Sequence, residues 1–147
     1  MTVWDELVGQ QEPTAELQQA VDMFARAQAG DIVPGLTHAW LFTGPPGSGR
    51  STAARAFASA LQCERGGCGS CHSCHTVAAG THPDVHVLST EATIIPVAQA
   101  RELVQIAQRT PSQGRWRVVL IEDADRLNEA ACNALLKAIE EPPPRTL

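Results

Sequence analysis

A glycine-rich loop and a cluster of cysteines are the parts of this chain whose residue types and spacing are suited to chemistry. The loop reads Gly44-Pro45-Pro46-Gly47-Ser48-Gly49-Arg50-Ser51, which is the phosphate-binding frame G-x-x-x-x-G-K-[ST] with arginine in the lysine position. Glycines let backbone N–H groups converge on an anion, and the start of a following helix adds a favourable dipole. We therefore predict a site for ATP or ADP with Mg²⁺ formed by Gly44, Pro45, Pro46, Gly47, Ser48, Gly49, Arg50, Ser51 and Thr52.

The cysteine cluster predicts a metal site. Its four members follow the spacing C-x₄-C-x₂-C-x₂-C, namely Cys63, Cys68, Cys71 and Cys74. Four thiolates so close in sequence can close a tetrahedral Zn²⁺ site, which would fold a small module and do no chemistry itself. An iron–sulfur cluster or redox-active thiols are the alternatives. His72 and His75 lie among the cysteines and are interpreted as exposed loop residues or as additional contacts to the metal.

Two acidic residues follow an apolar run of four residues, 118–121. Glu122 and Asp123 come downstream of the P-loop, where acids at a strand end hold Mg²⁺ beside a nucleotide. The usual order is aspartate for the metal and glutamate for the attacking water, and here it is inverted. The inversion moves each carboxylate by about an ångström, and catalytic geometry does not tolerate such a shift. Solvated acids at a strand end are the alternative interpretation.

Arg50 is a second departure from the pattern. Arginine keeps the positive charge, but its planar fork is longer than the compact ammonium group of lysine. Together with the inverted acids, it predicts a site that binds nucleotide and hydrolyses it weakly or not at all.

The apolar periodicity predicts the elements that position these residues. We expect strands at 38–43, 85–88 and 117–121, and helices at 13–25, 52–62, 97–109 and 129–141, with Asn128 as the cap of the last. Residues 30–35 and 111–114 are predicted to break helices. Residues 63–83 have little apolar periodicity and are interpreted as an inserted module organised by the metal, and Cys132 is expected to be buried. Strands alternating with helices indicate an α/β domain with a mainly parallel sheet.

Composition limits the remaining functions. A chain of 147 residues suffices for one globular domain, and its net charge of −5 argues against a domain built mainly to grip nucleic acid. No apolar stretch is long enough for a bilayer, and the first residues lack the features of a signal peptide, so a cytoplasmic location is expected. The last residues fall where another strand is expected, which predicts a fragment of a longer protein.

Four features of the chain resemble the N-terminal AAA+ module of bacterial clamp-loader subunits of DNA polymerase III. The first two are the entry segment Trp4-Asp5-Glu6-Leu7-Val8-Gly9-Gln10 and the approach to the P-loop, His38-Ala39-Trp40-Leu41-Phe42-Thr43-Gly44. The third is the four-cysteine module inserted after the P-loop helix. The fourth is the signature Asn133-Ala134-Leu135-Leu136-Lys137-Ala138-Ile139-Glu140-Glu141-Pro142-Pro143. The resemblance spans nearly the whole chain.

The resemblance implies a fold, a role and partners. It implies an N-terminal AAA+ nucleotide-binding-like domain over residues 1–147, with a zinc-binding module at 63–83 and with lid and collar domains beyond. It implies a pentameric loader that places the ring-shaped sliding clamp on primer-template DNA, with gamma/tau and delta subunits as neighbours. The protein would be a component of the polymerase III holoenzyme and not its polymerising subunit.

Three hypotheses follow for the activity. The departures at Arg50, Glu122 and Asp123 favour the delta-prime type, whose nucleotide site is degenerate in the family and which acts as a scaffold. An active gamma/tau-like ATPase is the first alternative. An unrelated P-loop kinase or nucleotide switch is the more distant one, and the signature at 133–143 argues against it.

Overall fold

The computed structural model describes residues 1–34, 36–112 and 115–147. It divides into two compact units, Met1–His82 and Pro83–Leu147, and each is described by itself below. The helix breaks predicted at 30–35 and 111–114 include residues 35, 113 and 114, which lie outside the described residues.

The first unit is built on two packed helices. A 3-10 turn at Val3–Glu6 precedes α1, Gln11–Gln28, and α2 spans Arg50–Gln62. The helices bury their facing apolar stripes: Leu17, Ala20, Val21 and Phe24 on α1, and Ala56, Phe57, Ala60 and Leu61 on α2. Helix α1 begins two residues earlier than predicted, so Pro13 is its third residue and not its first. The N–H groups of the first turn of a helix have no acceptor within the helix. Proline, which lacks an N–H, is therefore tolerated there.

The strand predicted at 38–43 is not formed within the described part of the chain. The rings of Trp40 and Phe42, two residues apart, instead lie against Phe57 of α2, with centroid separations of 5.3 and 6.5 Å. A β-strand forms only where its backbone pairs with a neighbouring strand. A run of apolar residues does not indicate which segment, if any, provides that partner. The prediction of a strand was therefore wrong, and Trp40 and Phe42 are half-buried against α2 without it.

The cysteine segment contains a helix that the sequence did not predict. Helix α3, His72–Ala79, is capped at its start by Cys71, whose sulfur accepts a hydrogen bond from the N–H of Cys74, and is followed by Gly80 in the left-handed conformation. Its buried residues are Cys74 and Val77, three positions apart. The short length of the helix and the polar residues between these two positions hide the helical period.

The second unit confirms most of the predicted elements. Strands β1, Val85–Leu88, and β2, Val118–Ile121, form a parallel pair in which Val85 lies opposite Val118. Helices α4, Val97–Ala107, and α5, Glu129–Glu140, pack together through Ala100, Ala131 and Leu135. As predicted, Asn128 caps α5, and its Oδ1 accepts a hydrogen bond from the N–H of Ala131 over 2.8 Å.

The described sheet is therefore small and parallel. Beyond β1 and β2, Thr146 pairs in parallel with Arg117, and the N–H of Val119 donates to the carbonyl of Leu147 over 3.0 Å. The end of the chain thus runs beside β2. No helix of the described residues is long and apolar enough to cross a membrane.

A buried ion pair joins the starts of the two strands to the end of α4. The guanidinium of Arg117 lies 3.4 Å from the carboxylate of Asp84, and their side chains are 5% and 0% exposed. Arg117 also donates to the carbonyls of Pro83, Arg109 and Thr110 over 3.0, 3.2 and 2.9 Å. Three carbonyl bonds and one carboxylate satisfy a charge that would otherwise be costly to bury.

Candidate metal centre and phosphate-binding loop

Helix α2 positions both candidate sites of the first unit. Gly49 of the P-loop precedes its first residue, and Cys63, the first predicted metal ligand, follows its last. The helix has 13 residues and is therefore about 20 Å long. The two sites lie at opposite ends of one element.

The structure brings the four predicted metal ligands together. The Sγ atoms of Cys63, Cys68, Cys71 and Cys74 all lie within 4.8 Å of one another. The Sγ atoms of Cys63 and Cys71 are 3.7 Å apart. Zn–S bonds of about 2.3 Å place the sulfurs of a tetrahedral site about 3.8 Å apart, whereas a disulfide needs about 2.0 Å. All four cysteines are free thiols in the structure, and their geometry fits Zn²⁺.

Backbone N–H groups favour the thiolate form of two of these cysteines. The sulfur of Cys63 accepts bonds from the N–H groups of Arg65 and Cys68, each over 3.4 Å. Burial raises the pKa of Cys63, but the N–H donors of Cys68, Gly67 and Arg65 together outweigh it, so the pKa lies below its usual value. The backbone N–H and then the hydroxyl of Ser70 lower the pKa of Cys68 to about 5.

Cys74 behaves in the opposite way. Burial raises its pKa to about 12, although the N–H of Gly69 donates to its sulfur over 3.4 Å. A thiol in such surroundings becomes a ligand only when a cation replaces its proton, so metal binding is coupled to proton release at this position. The donor set is chemically that of a structural zinc site.

The structure also shows the positions of two histidines and a fifth cysteine for which there are predictions from the sequence. His72 and His75 are both exposed on α3, and the metal-binding cluster found among the described residues contains neither. The prediction that Cys132 is buried was wrong, because its side chain is exposed on α5. Ala131 and Leu135 form the buried stripe of that helix, and the next residue after Ala131 is turned by about 100° from it.

The predicted P-loop forms a turn that leads directly into α2. The N–H of Ser48 donates to the carbonyl of Pro45 over 3.1 Å, and the first helical bond runs from the N–H of Ala53 to the carbonyl of Gly49 over 2.8 Å. No side chain caps the start of α2, and its first turn contains no acid. The N–H groups of the first turn, which lack helical partners, are therefore at a helix start suited to an anion.

One P-loop contact was missed by the sequence analysis. Nε2 of Gln10 donates to the carbonyl of Ser48 over 3.3 Å. The two residues are 38 positions apart in the chain, and no local pattern predicts such a pair.

The two acids predicted to hold Mg²⁺, Glu122 and Asp123, lie in the second unit. Glu122 continues the ladder of β2, because its N–H donates to the carbonyl of Leu88 over 2.9 Å. Asp123 has a left-handed backbone, with φ of 53°, and its carboxylate lies 3.9 Å from the guanidinium of Arg126. Arg126 in turn donates to the carbonyl of Thr90 over 2.7 Å. Asp123 and Arg126 are three residues apart, and this spacing was the only signal in the sequence for an ion pair between them.

Comparisons with known proteins find subunits of DNA polymerase III. A family profile described as "DNA polymerase III, delta subunit" matches residues 17–147. A delta-prime subunit of DNA polymerase III from Pseudomonas aeruginosa is 43% identical over 111 residues, which are 71% of this chain and 34% of that protein. A gamma/tau subunit from Mycobacterium bovis is 38% identical over 143 residues, which are 94% of this chain and 23% of that protein.

A solved structure is also similar in part. It is a gamma subunit-related protein from Thermotoga maritima, with a TM-score of 0.43 and 25% identity, covering 48% of this chain and 26% of its own. The chain spans roughly a quarter to a third of the length of the two curated relatives described above.

Proposed function

Because the chain belongs to the DNA polymerase III delta-subunit family and is of the delta-prime type, we propose that it serves DNA replication as a subunit of the clamp loader. The family match over residues 17–147 is the observation that carries this proposal. Its partners are the gamma/tau and delta subunits and, through the assembled loader, the sliding clamp and primer-template DNA. Residues 1–147 are the AAA+ nucleotide-binding-like domain, and 63–83 are its zinc module.

The P-loop of this subunit holds ATP or ADP without efficient hydrolysis. The uncapped start of α2 and the turn at Pro45–Ser48 support anion binding. Arg50 provides a charge for the phosphates but not the compact donor that lysine offers. Asp123, which stands at the position of the water-orienting acid, is engaged by Arg126.

The four cysteines hold a structural Zn²⁺. The metal supplies a crosslink between the end of α2 and the start of α3, and it needs no redox chemistry to do so. Its support is the convergence of all four sulfurs within 4.8 Å. The cytoplasmic location stays a prediction from the sequence.

A gamma/tau-like ATPase is the second candidate. The observation that favours it is the wider match to the gamma/tau relative, which covers 94% of this chain. Against it stand Arg50 and the inverted order of Glu122 and Asp123. ATP turnover separates the two candidates, whereas a kinase or nucleotide switch gains no support from the family match.

Calorimetry on the full-length protein tests nucleotide binding. We expect ADP to bind, and Arg50→Ala to weaken its affinity by about 10- to 100-fold, the equivalent of a lost hydrogen bond to a charged group. Arg55→Ala, an exposed arginine of the same helix, is the matched control and should bind as the native protein does. Absence of ADP binding to the native protein would reject the nucleotide site, and failure to assemble with the other loader subunits would reject the clamp-loader role.

A further inference from the structure

The first residues of the chain are held by the loop that carries the metal ligands. The N–H of Val3 donates to the carbonyl of Gly67 over 3.0 Å, and the indole Nε1 of Trp4 donates to the carbonyl of Gly66 over 3.1 Å. Trp4 is buried, with 8% of its surface exposed. Both carbonyls lie between the first two cysteines of the cluster. The backbone that a metal would fix is therefore the backbone that holds the N-terminus.

Two glycines of this loop are required by the closeness of the N-terminal residues. A Cβ atom on Gly67 would lie 2.5 Å from Cγ2 of Val3 and 3.2 Å from Nε1 of Trp4. A Cβ atom on Gly69 would lie 2.5 Å from the carbonyl oxygen of Met1. Both glycines also have positive φ, 106° and 81°, which side chains rarely adopt. The loop therefore packs closely against the N-terminal residues. Metal ligation alone would not require this close packing.

The same N-terminal residues reach the P-loop. Gln10 stands immediately before α1, and its side-chain N–H donates to the carbonyl of Ser48. The N–H of Ser48 is the donor that closes the P-loop turn on Pro45. A single side chain therefore holds the residue on which the turn depends.

We propose that residues 1–10 form a strap that couples the metal centre to the P-loop. The cysteine loop fixes Val3 and Trp4 at one end of the strap, and Gln10 positions Ser48 at the other. Gln10 is thus a positioning residue for the phosphate site, and the metal has a second role beyond folding its own module. The consequence for nucleotide affinity rests on the proposed function, but the strap itself does not.

Backbone amide hydrogen exchange, measured by NMR on the zinc-loaded chain, tests the strap without nucleotide. The N–H of Val3 reports its hold on the cysteine loop, and the N–H of Ser48 reports the P-loop turn. We expect Gln10→Ala to accelerate exchange at Ser48 by about fivefold, the equivalent of one neutral hydrogen bond, and to leave Val3 unchanged. We expect Trp4→Phe, which removes the indole donor and keeps an aromatic ring, to accelerate both amides.

Removal of zinc by a chelator should accelerate exchange at Val3 and Ser48 together in the native chain. In Gln10→Ala, zinc removal should change Ser48 no further. Gln11→Ala, at the exposed neighbouring position, is the matched control and should leave Ser48 as in the native chain. If zinc removal also exposes the amides of α1, the unit has unfolded, and the zinc-bound variants then decide the question.

The proposal is overturned if exchange at Ser48 is the same in the native chain, Gln10→Ala and Trp4→Phe. It is also overturned if the Val3 amide is freed while Ser48 keeps its native rate. A chain that binds no ADP would reject the nucleotide site and leave these exchange rates to decide the strap. Where ADP binds, Gln10→Ala should weaken its affinity by about fivefold, again the equivalent of one neutral hydrogen bond.

Discussion

Arg117 and Asp84 form a buried ion pair in the second unit. Both are almost completely buried, and removing either leaves the other charge without its partner. We predict that Arg117→Ala lowers the free energy of unfolding by about 3–5 kcal/mol, the usual cost of breaking a buried pair. Urea denaturation followed by circular dichroism measures the change.

The matched control for this prediction is Arg101→Ala, an exposed arginine on α4. It should change the free energy of unfolding by no more than about 0.5 kcal/mol. Replacing Asp84 and Arg117 together by apolar residues should cost less than the sum of the single changes, since no uncompensated charge then remains. Equal losses for Arg117→Ala and Arg101→Ala would contradict the assignment.

His86 beside this pair predicts a dependence of stability on pH. Its Nε2 lies 3.1 Å from Nη1 of Arg117, which can only donate, so the ring accepts and is neutral. Burial first, and then the charge of Arg117, lower the pKa of His86 below its usual value, with Arg109 and Asp84 contributing less and in opposite directions. Protons therefore bind the unfolded chain more readily, and stability is lost as pH falls below the unfolded pKa of about 6.5.

We expect NMR titration to find a pKa for His86 below the ordinary histidine value of about 6.5, and we expect His86→Gln to flatten the dependence of the free energy of unfolding on pH below that value. A His86 resonance that titrates at or above the ordinary value would contradict the structural assignment.

At the scale of elements, the metal module makes α3 depend on its ligands. Cys74 is both a predicted ligand and a buried residue of that helix, and Cys71 caps it. We predict that Cys74→Ser weakens zinc affinity by more than the roughly 10- to 100-fold typical for residues that only support ligands, and that α3 loses its helical structure. Metal analysis and far-ultraviolet circular dichroism measure the two effects.

Cys132→Ser provides the control, because Cys132 is an exposed cysteine outside the cluster. It should bind one zinc per chain, as the native protein should. A native preparation without zinc, in which all four clustered thiols titrate freely, would refute the metal site.

The elements that the sequence predicted correctly are those with a local cause. Helices α4 and α5 follow from apolar residues at helical spacing, and β2 from an unbroken apolar run. Helix α3 was missed because its caps come from a cysteine and a glycine that were interpreted only as parts of a metal loop. The strand at 38–43 was wrong because pairing is decided by distant segments, which local patterns do not show.

At the scale of the whole molecule, the sequence motifs identified the family, and the long-range contacts came from the structure. The cysteine spacing predicted which four sulfurs converge, since they lie in one short segment. The contacts of Trp4 with Gly66 and of Gln10 with Ser48 join residues 62 and 38 positions apart. Such contacts have no periodic signal in the chain, although they connect the two candidate sites of the first unit.

The central claim is that this P-loop binds nucleotide with little or no hydrolysis. Steady-state ATP turnover by the isolated full-length protein tests this claim most directly. The guanidinium that Arg50 offers in place of a lysine ammonium, and the ion pair of Asp123 with Arg126, predict little or no turnover above the protein-free background, even where calorimetry detects bound nucleotide. Robust turnover that disappears in Arg50→Ala would contradict the account and assign the protein to the active ATPases of its family.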